Sequence, residues 1–566
     1  MKIALIGINS KFIHINLAIR YLKAYTNDLD YDCKIMEFSI NDRLERILRE
    51  ILDEKPDIAA FSCYIWNLEY VLKIADLIKL IDKNIKILYG GPEVSYESKS
   101  FLENNPGDYL IEGEGEETFR EFVYNIINKK EIFNIKGLYT KYGNNVIYGG
   151  KRNLMDINKL IFSYDDDMDL NNKIVYYESS RGCPFNCKYC LSSTIRGVRF
   201  LNIERVKKEL KFFIDKKVKL VKFVDRTFNC SREFSMEIWN YLINLDTNTT
   251  FHFEISADIL NDKQINLLKK APKGRFQFEI GVQTTNDNVL KNINRYVKFE
   301  KIKNQVLEIK KIGSIKQHLD LIAGLPGENF ESFKKSFNDL YSIYPDEIQL
   351  GFLKVLKGSL MKEEAEMWGI TYSPYPPYEV LKTRDISYDE IQILKRTEEI
   401  VDKYFNSQKF KSIINYFIPK FKTPFDFYSN LGEFFNNKGY FKRNLSSVDY
   451  YKVFLEFNSE VLKEDNEVLK EIIKFEYLKY NRKKWIPEFL TRYFNKKLEK
   501  KLKIEQKNNT IKIPFYNYHL EIFHIDIFKF LYDNKLIKGN YYLIFDEDNP
   551  DNILDITELV YNENLL

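Results

Sequence analysis

Three cysteines fall within eight positions, in Arg181-Gly182-Cys183-Pro184-Phe185-Asn186-Cys187-Lys188-Tyr189-Cys190. The Cys-x3-Cys-x2-Cys spacing sets three thiolates on one tight loop, soon after the apolar stretch Ile174-Val175-Tyr176-Tyr177. A structural zinc site closes its tetrahedron with a fourth protein ligand. None is near, since no histidine lies within sixty residues of these cysteines. Three thiolates suit a [4Fe–4S] cluster, whose fourth iron stays open to an outside ligand. A low-potential cluster of that kind can pass one electron to what binds there. Cys33, Cys63 and Cys230 lie far apart, so the six cysteines form neither a disulfide framework nor a second cluster. Cys230 reads as a neutral structural thiol.

The elements around the loop define where it sits. From about 173 to 390, strand-like and helix-like pieces alternate, with strands expected at 174–180, 218–225, 251–256, 275–282, 316–323 and 347–356. Six such units make a partial (β/α)6 barrel, which carries its chemistry at the carboxyl ends of the strands. Polar residues fall there: Asp225, Glu254 and Ser256, Glu279 and Gln283, and Gly324 in Asp320-Leu321-Ile322-Ala323-Gly324-Leu325-Pro326-Gly327-Glu328.

Residues 1–130 also alternate. Lys2–Gly7, Asp57–Ser62, Ile85–Tyr89 and Asp108–Ile111 read as strands, with helical stripes between them (Ile15, Ala18, Ile19, Leu22; Leu68, Val71, Leu72, Ala75, Ile78). This pattern predicts a doubly wound, Rossmann-like parallel sheet with ligands at the strands' carboxyl ends. Residues 131–172 read as a linker, with a hairpin about Gly143-Asn144-Asn145 and a solvated acidic run, Asp165-Asp166-Asp167.

The whole chain sets limits. Its 566 residues exceed one core, so two to four domains are expected. A hydrophobic share of 44% and a charged share of 30% describe a soluble globular protein, and a net charge of +4 argues against a protein that coats nucleic acid. The start reads as a first strand, not a signal peptide, and no run nears the ~18 apolar residues of a membrane span. A cytoplasmic location is expected. Residues 391–566 turn mostly helical, with strand-like pieces at Ile511–Pro514 and Tyr541–Phe545. Residues 391–510 hold 25 Lys and Arg against 16 Asp and Glu, much of the excess in Arg482-Lys483-Lys484 and Lys496–Lys501. Such a surface can hold RNA, but a solvated helical face in a lysine-rich chain explains it more simply. His519 and His524 lack partners at ligand spacing.

The cysteine loop resembles the signature of the radical S-adenosylmethionine (SAM) superfamily. That resemblance implies SAM on the open iron, its reductive cleavage to a 5′-deoxyadenosyl radical, and an adenine contact from Tyr189. It further implies SAM contacts from Asp225, Glu254, Ser256, Glu279, Gln283 (in a Glu-x-Gly-x-Gln strand) and Gly324. The first 130 residues resemble the cobalamin-binding domain that precedes many radical SAM cores. The matching pieces are Asn9–His14, Ser62, Gly90-Gly91-Pro92 and Glu112-Gly113-Glu114-Gly115-Glu116. The usual Asp-x-His-x-x-Gly ligand motif is reduced to His14, without its Asp or Gly, and no carboxylate then fixes the ring. The resemblance implies a radical SAM enzyme, of which C-methylation is the commonest chemistry; ring contraction or cyclisation, or macromolecule modification over an empty cobalamin fold, are the alternatives. It also implies a flavodoxin- or ferredoxin-type electron donor and no membrane partner. Too few N-terminal cysteines are present for a methylthiotransferase.

Overall fold

The computed structural model describes residues 1–481, 486–493, 495–533, 535–549 and 551–563. It divides into two compact units, one of 1–345 with 350–388, the other of 346–349 with 389–566.

In the first unit, β1 (Lys2–Asn9), β2 (Asp32–Ser39), β3 (Ile58–Ser62), β4 (Lys86–Gly90), β5 (Tyr109–Ile111), β6 (Leu138–Tyr142) and β7 (Asn145–Tyr148) form one sheet in the order β2-β1-β3-β4-β5-β6-β7. The first five strands are parallel and the last two antiparallel. Successive residues of β1 feed opposite cores: Ala4, Ile6 and Ile8 face one, Ile3 and Leu5 the other. A strand covered on both faces by helices must be apolar along its covered length, and residues 3–8 of β1 and 58–61 of β3 carry no polar side chain. The second strand went unplaced from sequence because its exposed start, Asp32 to Lys34, breaks the apolar run. The hairpin expected in a linker instead pairs onto β5, extending the sheet.

The same unit holds β8 (Ile174–Tyr177), a two-stranded antiparallel ribbon of β9 (Ser180–Cys183) and β10 (Gly197–Phe200), then β11 (Leu220–Phe223), β12 (Thr250–Ile255), β13 (Phe276–Gln283), β14 (Lys316–Ala323) and residues 350–352 of β15 (Glu347–Phe352). Six of these make an open sheet ordered β15-β14-β13-β12-β11-β8, the partial barrel expected. The first barrel strand is shorter than the 174–180 predicted, because residues 180–183 leave it for the ribbon. Alternation sends Phe223, Phe253, Phe276 and Phe278 outward into a buried aromatic layer with Phe228 and Trp239.

The second unit is helical up to Lys507 and ends in a three-stranded antiparallel sheet, Tyr518–Ile525, Lys538–Asp546 and Ile553–Asp555. The predicted strand at Ile511–Pro514 does not form; Ile511 and Ile513 are buried against Leu498 and Leu502. Arg482-Lys483-Lys484 lies outside the described residues. Among the described residues, no helix is long and apolar enough to cross a membrane.

Phe253 sits 4.5 Å from Phe223 and 4.3 Å from Phe228 between ring centroids, with no exposure. Phe253→Ala is expected to cost about 3–5 kcal/mol through the cavity it leaves, read as a lower urea midpoint of tryptophan fluorescence.

Candidate functional site

β9 ends on Cys183, opposite Gly197. Gly182 has φ +107°, and a Cβ there would overlap the Gly197 carbonyl oxygen, so only glycine permits the turn. Within the loop, Cys190 N–H donates to the Cys187 carbonyl (3.1 Å), and Ser193 Oγ donates to the carbonyls of Cys187 (3.0 Å) and Cys190 (2.6 Å). Lys188 anchors it from outside: its N–H donates to Ile293, its carbonyl accepts from Met361, and its Nζ pairs with Glu364 at 2.7 Å. Burial pushes the Cys187 thiol up, opposed by the Arg295 guanidinium, which also lies against Tyr189. Among the described residues no three side chains converge to hold a single metal ion. A cubane asks each thiolate for a different iron, and three thiols with no fourth protein ligand fit it.

Asp225, beyond β11, is 1% exposed. Its carboxylate accepts from Ser179 N–H (2.9 Å), Ser179 Oγ (2.7 Å) and Ser180 Oγ (2.5 Å), tying the β8–β9 junction to β11. Burial pushes its carboxyl up to about 7. Cys230 stays neutral, its thiol pushed up to about 11 by burial. Ser256 exchanges hydrogen bonds with Asn229 and donates to Asp258 at 2.5 Å.

Parallel register lines up two lumen-facing rows: Tyr176, Lys222, His252 and Gln277, then Glu254, Glu279 and His318. Glu279 meets His252 Nε2 (2.9 Å) and Lys222 Nζ (3.2 Å), and despite burial these partners hold its carboxyl at about 2. Burial raises Glu254 and, more strongly, Asp320, on which Glu279 and Glu254 also bear. Asp320 Oδ1 and Gln283 Oε1 are shut from solvent with no partner among the described residues. A Cβ on Gly281 would overlap Gln283 Nε2, which explains the glycine two residues before the glutamine. Gly324 has φ +83° and packs on Val380. These orphaned acceptors fit a ligand rich in donors. Asp320, Lys222 and His252 were missed from sequence; strand alternation with Glu279 was the available signal.

At the carboxyl edge of the first sheet, Gly91 has φ +111°, and a Cβ would lie 2.6 Å from the Cys63 carbonyl oxygen. Gly113 has φ +74° with open space about it, whereas nothing crowds Gly90. Pro92 continues the Gly90–Gly91 turn. Phe12 and Trp66 stand 72% and 44% exposed after β1 and β3. Lys173 Nζ lies over one face of Phe12 at 3.5 Å, and Tyr64 stacks on one face of Trp66 at 4.4 Å. The remaining exposed ring surface, with the open backbone, fits a broad flat ligand such as a corrin. Ser62 instead lies buried, accepting from Asn16 Nδ2 at 2.8 Å, and so holds the His14 loop from beneath. His14 Nδ1 lies 2.6 Å from the Tyr176 hydroxyl, a partner for the ring where no carboxylate is available. Glu112 accepts from the Tyr148 hydroxyl at 2.5 Å.

The rest of that acidic loop reaches the cysteine ribbon. Arg181 binds Glu116 and Glu178, each at 2.8 Å; Arg199 grips both oxygens of Glu114 at 2.5 and 3.0 Å. Sequence reasoning could not find the pairs of Arg181 with Glu116 and Arg199 with Glu114, since 65 and 85 residues separate the partners.

Family models match as a B12 binding domain over 3–123, the Radical SAM superfamily over 177–340, and a protein of unknown function (DUF4080) over 366–545. The cobalamin-dependent radical SAM methyltransferase TokK of Streptomyces tokunonensis is 23% identical over 67% of this chain and 59% of its own. The 2-(S-pantetheinyl)-carbapenam-3-carboxylate methyltransferase of Streptantibioticus cattleyicolor is 26% identical over 50% of this chain and 45% of its own. The chain thus spans about half the length of these curated relatives. The solved cobalamin-dependent SAM radical enzyme OxsB, with aqua-cobalamin and SAM bound, is similar in fold: TM-score 0.60 and 14% identity over 90% of this chain and 81% of that one.

Gly182→Ala is expected to fold but lose most of its cluster, read as iron and sulfide per chain after reconstitution. Because folding raises the Asp225 carboxyl from 3.8 to about 7, its contribution to stability is whole below about pH 4 and is withdrawn as pH rises through 7. Asp225→Asn should flatten this slope, measured as urea midpoints of the apo chain at pH 5 and 8.

Proposed function

From the matches of a B12 binding domain over 3–123 and the Radical SAM superfamily over 177–340, we propose that this chain is a cobalamin-dependent radical SAM enzyme that methylates carbon on a substrate yet to be identified. When bound, the cluster supplies an electron that cleaves SAM to a carbon-centred radical, and cobalamin supplies the methyl group. The observation that carries this reading is the three-thiol loop, lacking a fourth protein ligand, on a ribbon gripped by the sheet that has the open glycine edge.

Cys183, Cys187 and Cys190 hold the cluster. Tyr189, braced by Arg295, borders SAM. Glu279, kept ionised by Lys222 and His252, accepts hydrogen bonds without giving up its charge. Glu254, Gln283 and Asp320 offer acceptors in a lumen where acids repel one another, and a sulfonium cation relieves that repulsion. Gly324 lets the backbone approach, Ser256 steadies the end of β12, and Asp225 positions the cysteine ribbon. Gly91, Pro92, Gly113 and the exposed parts of Phe12 and Trp66 receive the corrin, with His14 beside it. A low-potential cluster belongs in a reducing compartment, so the enzyme works in the cytoplasm with a flavodoxin- or ferredoxin-type donor.

The test uses the full chain, reconstituted anaerobically with iron, sulfide and hydroxocobalamin, freed of unbound cofactor, reduced and given SAM. A retained corrin spectrum with both S-adenosylhomocysteine and 5′-deoxyadenosine is expected, and Cys187→Ala should lower the deoxyadenosine at least ~100-fold. Deoxyadenosine without corrin retention would overturn the cobalamin half; deoxyadenosine from Cys187→Ala would overturn the cluster half.

A further inference from the structure

The loop after β5 faces two ways. Gly113 N–H donates to Ser95 Oγ (3.0 Å), which donates to the Gly91 carbonyl (2.8 Å), so this side is bonded to the glycine turn. One residue on, Glu114 grips Arg199 through both oxygens and lies 3.6 Å from Arg181, and Glu116 takes Arg181. The two arginines are register partners across the β9–β10 ribbon, so they stand side by side on one face. Arg181 is two residues before Cys183. Glu114 also accepts from Met155 N–H at 3.0 Å, leaving little freedom to swing away. All four side chains are only 7–25% exposed, so water does not replace a lost partner.

A continuous line of hydrogen bonds and ion pairs thus runs from Gly91 through Ser95, Gly113 and Glu114 to the ribbon that ends in Cys183. Neither loop can shift without straining the other. We infer that Glu114, Glu116, Arg181 and Arg199 are positioning residues that couple the two cofactor sites, so that cobalamin on the glycine edge raises the affinity of the clustered loop for SAM. This rests on the function proposed above. Coupling is reciprocal, so SAM must tighten cobalamin binding by the same factor.

The experiment measures SAM affinity by calorimetry on the anaerobic, cluster-loaded full chain, with and without hydroxocobalamin, and cobalamin affinity from its visible spectrum with and without SAM. The expected coupling is about 5-fold or more in both directions. In Glu114→Gln it should fall to about 1 with the cluster still loaded. Glu121→Gln, in the helix that follows but paired with Arg152, should keep the wild-type factor. Should Glu114→Gln fail to load its cluster, Arg199→Lys takes its place; it keeps the charge but gives up the two-pronged grip, and the same loss of coupling is expected. A wild-type chain that binds both ligands with a factor of 1, or variants that keep the full factor, would overturn this inference alone. A chain that retains no corrin overturns it together with the proposed function.

Discussion

Two guanidinium groups and three carboxylates, Arg181 and Arg199 with Glu114, Glu116 and Glu178, share one poorly hydrated space, and the cysteine loop takes its place from them. Removing such charges from water costs several kcal/mol per ion, and their attraction offsets this only with close, multiple contacts. The forked geometry of arginine supplies those contacts. Arg199 meets both oxygens of Glu114, and Arg181 spreads its nitrogens over Glu116 and Glu178. Glu116 gains further because it opens the helix Glu116–Ile127, where the backbone N–H groups favour a negative charge. The ribbon needs this grip. It is a two-stranded piece outside the barrel sheet, and four residue pairs alone would not hold it.

The barrel lumen divides its charge differently. Lys222 and His252, one row lower, bond Glu279, a set satisfied by the protein itself. Glu254, level with Glu279, and Asp320, nearer the strand ends, feel that carboxylate, and Asp320 keeps an oxygen without a partner among the described residues. A buried acceptor left unmatched costs stability that packing elsewhere must offset. On the function proposed above, the cost falls where a donor-rich cation is to be held, and the satisfied set beside it keeps the strands in register.

What the sequence revealed and what it hid follow from distance along the chain. The three cysteines and Gly182 are local: ligand spacing and one tight turn are written in ten consecutive residues. The parallel sheets were legible because strands covered on both faces must be apolar, as in β1 and β3. β2 escaped because its first residues are exposed. The hairpin's strands were legible from Gly143, but not the edge they pair with, since nothing within Leu138–Tyr148 names β5. The ion pairs to Arg181 and Arg199 were hidden for the same reason. Ser62 and Asp225 were expected against ligands; each is buried and engaged with the chain itself, because a polar side chain at a strand end can equally well face the next loop.

The acidic loop brings these points together. Glu112-Gly113-Glu114-Gly115-Glu116 reads as one motif, yet its residues do separate work. Gly113, with φ +74° and nothing crowding it, turns the backbone back toward the glycine edge; Glu114 and Glu116 project to the ribbon. Gly115 has no positive φ, and a Cβ there would make only ordinary contact with Leu22 and Ile111, so nothing in the structure explains the glycine at that position. Backbone geometry at Gly113 and charge at Glu114 and Glu116 thus meet within four residues. The loop that on the proposed function borders one cofactor is therefore bonded to the ribbon that would carry the other.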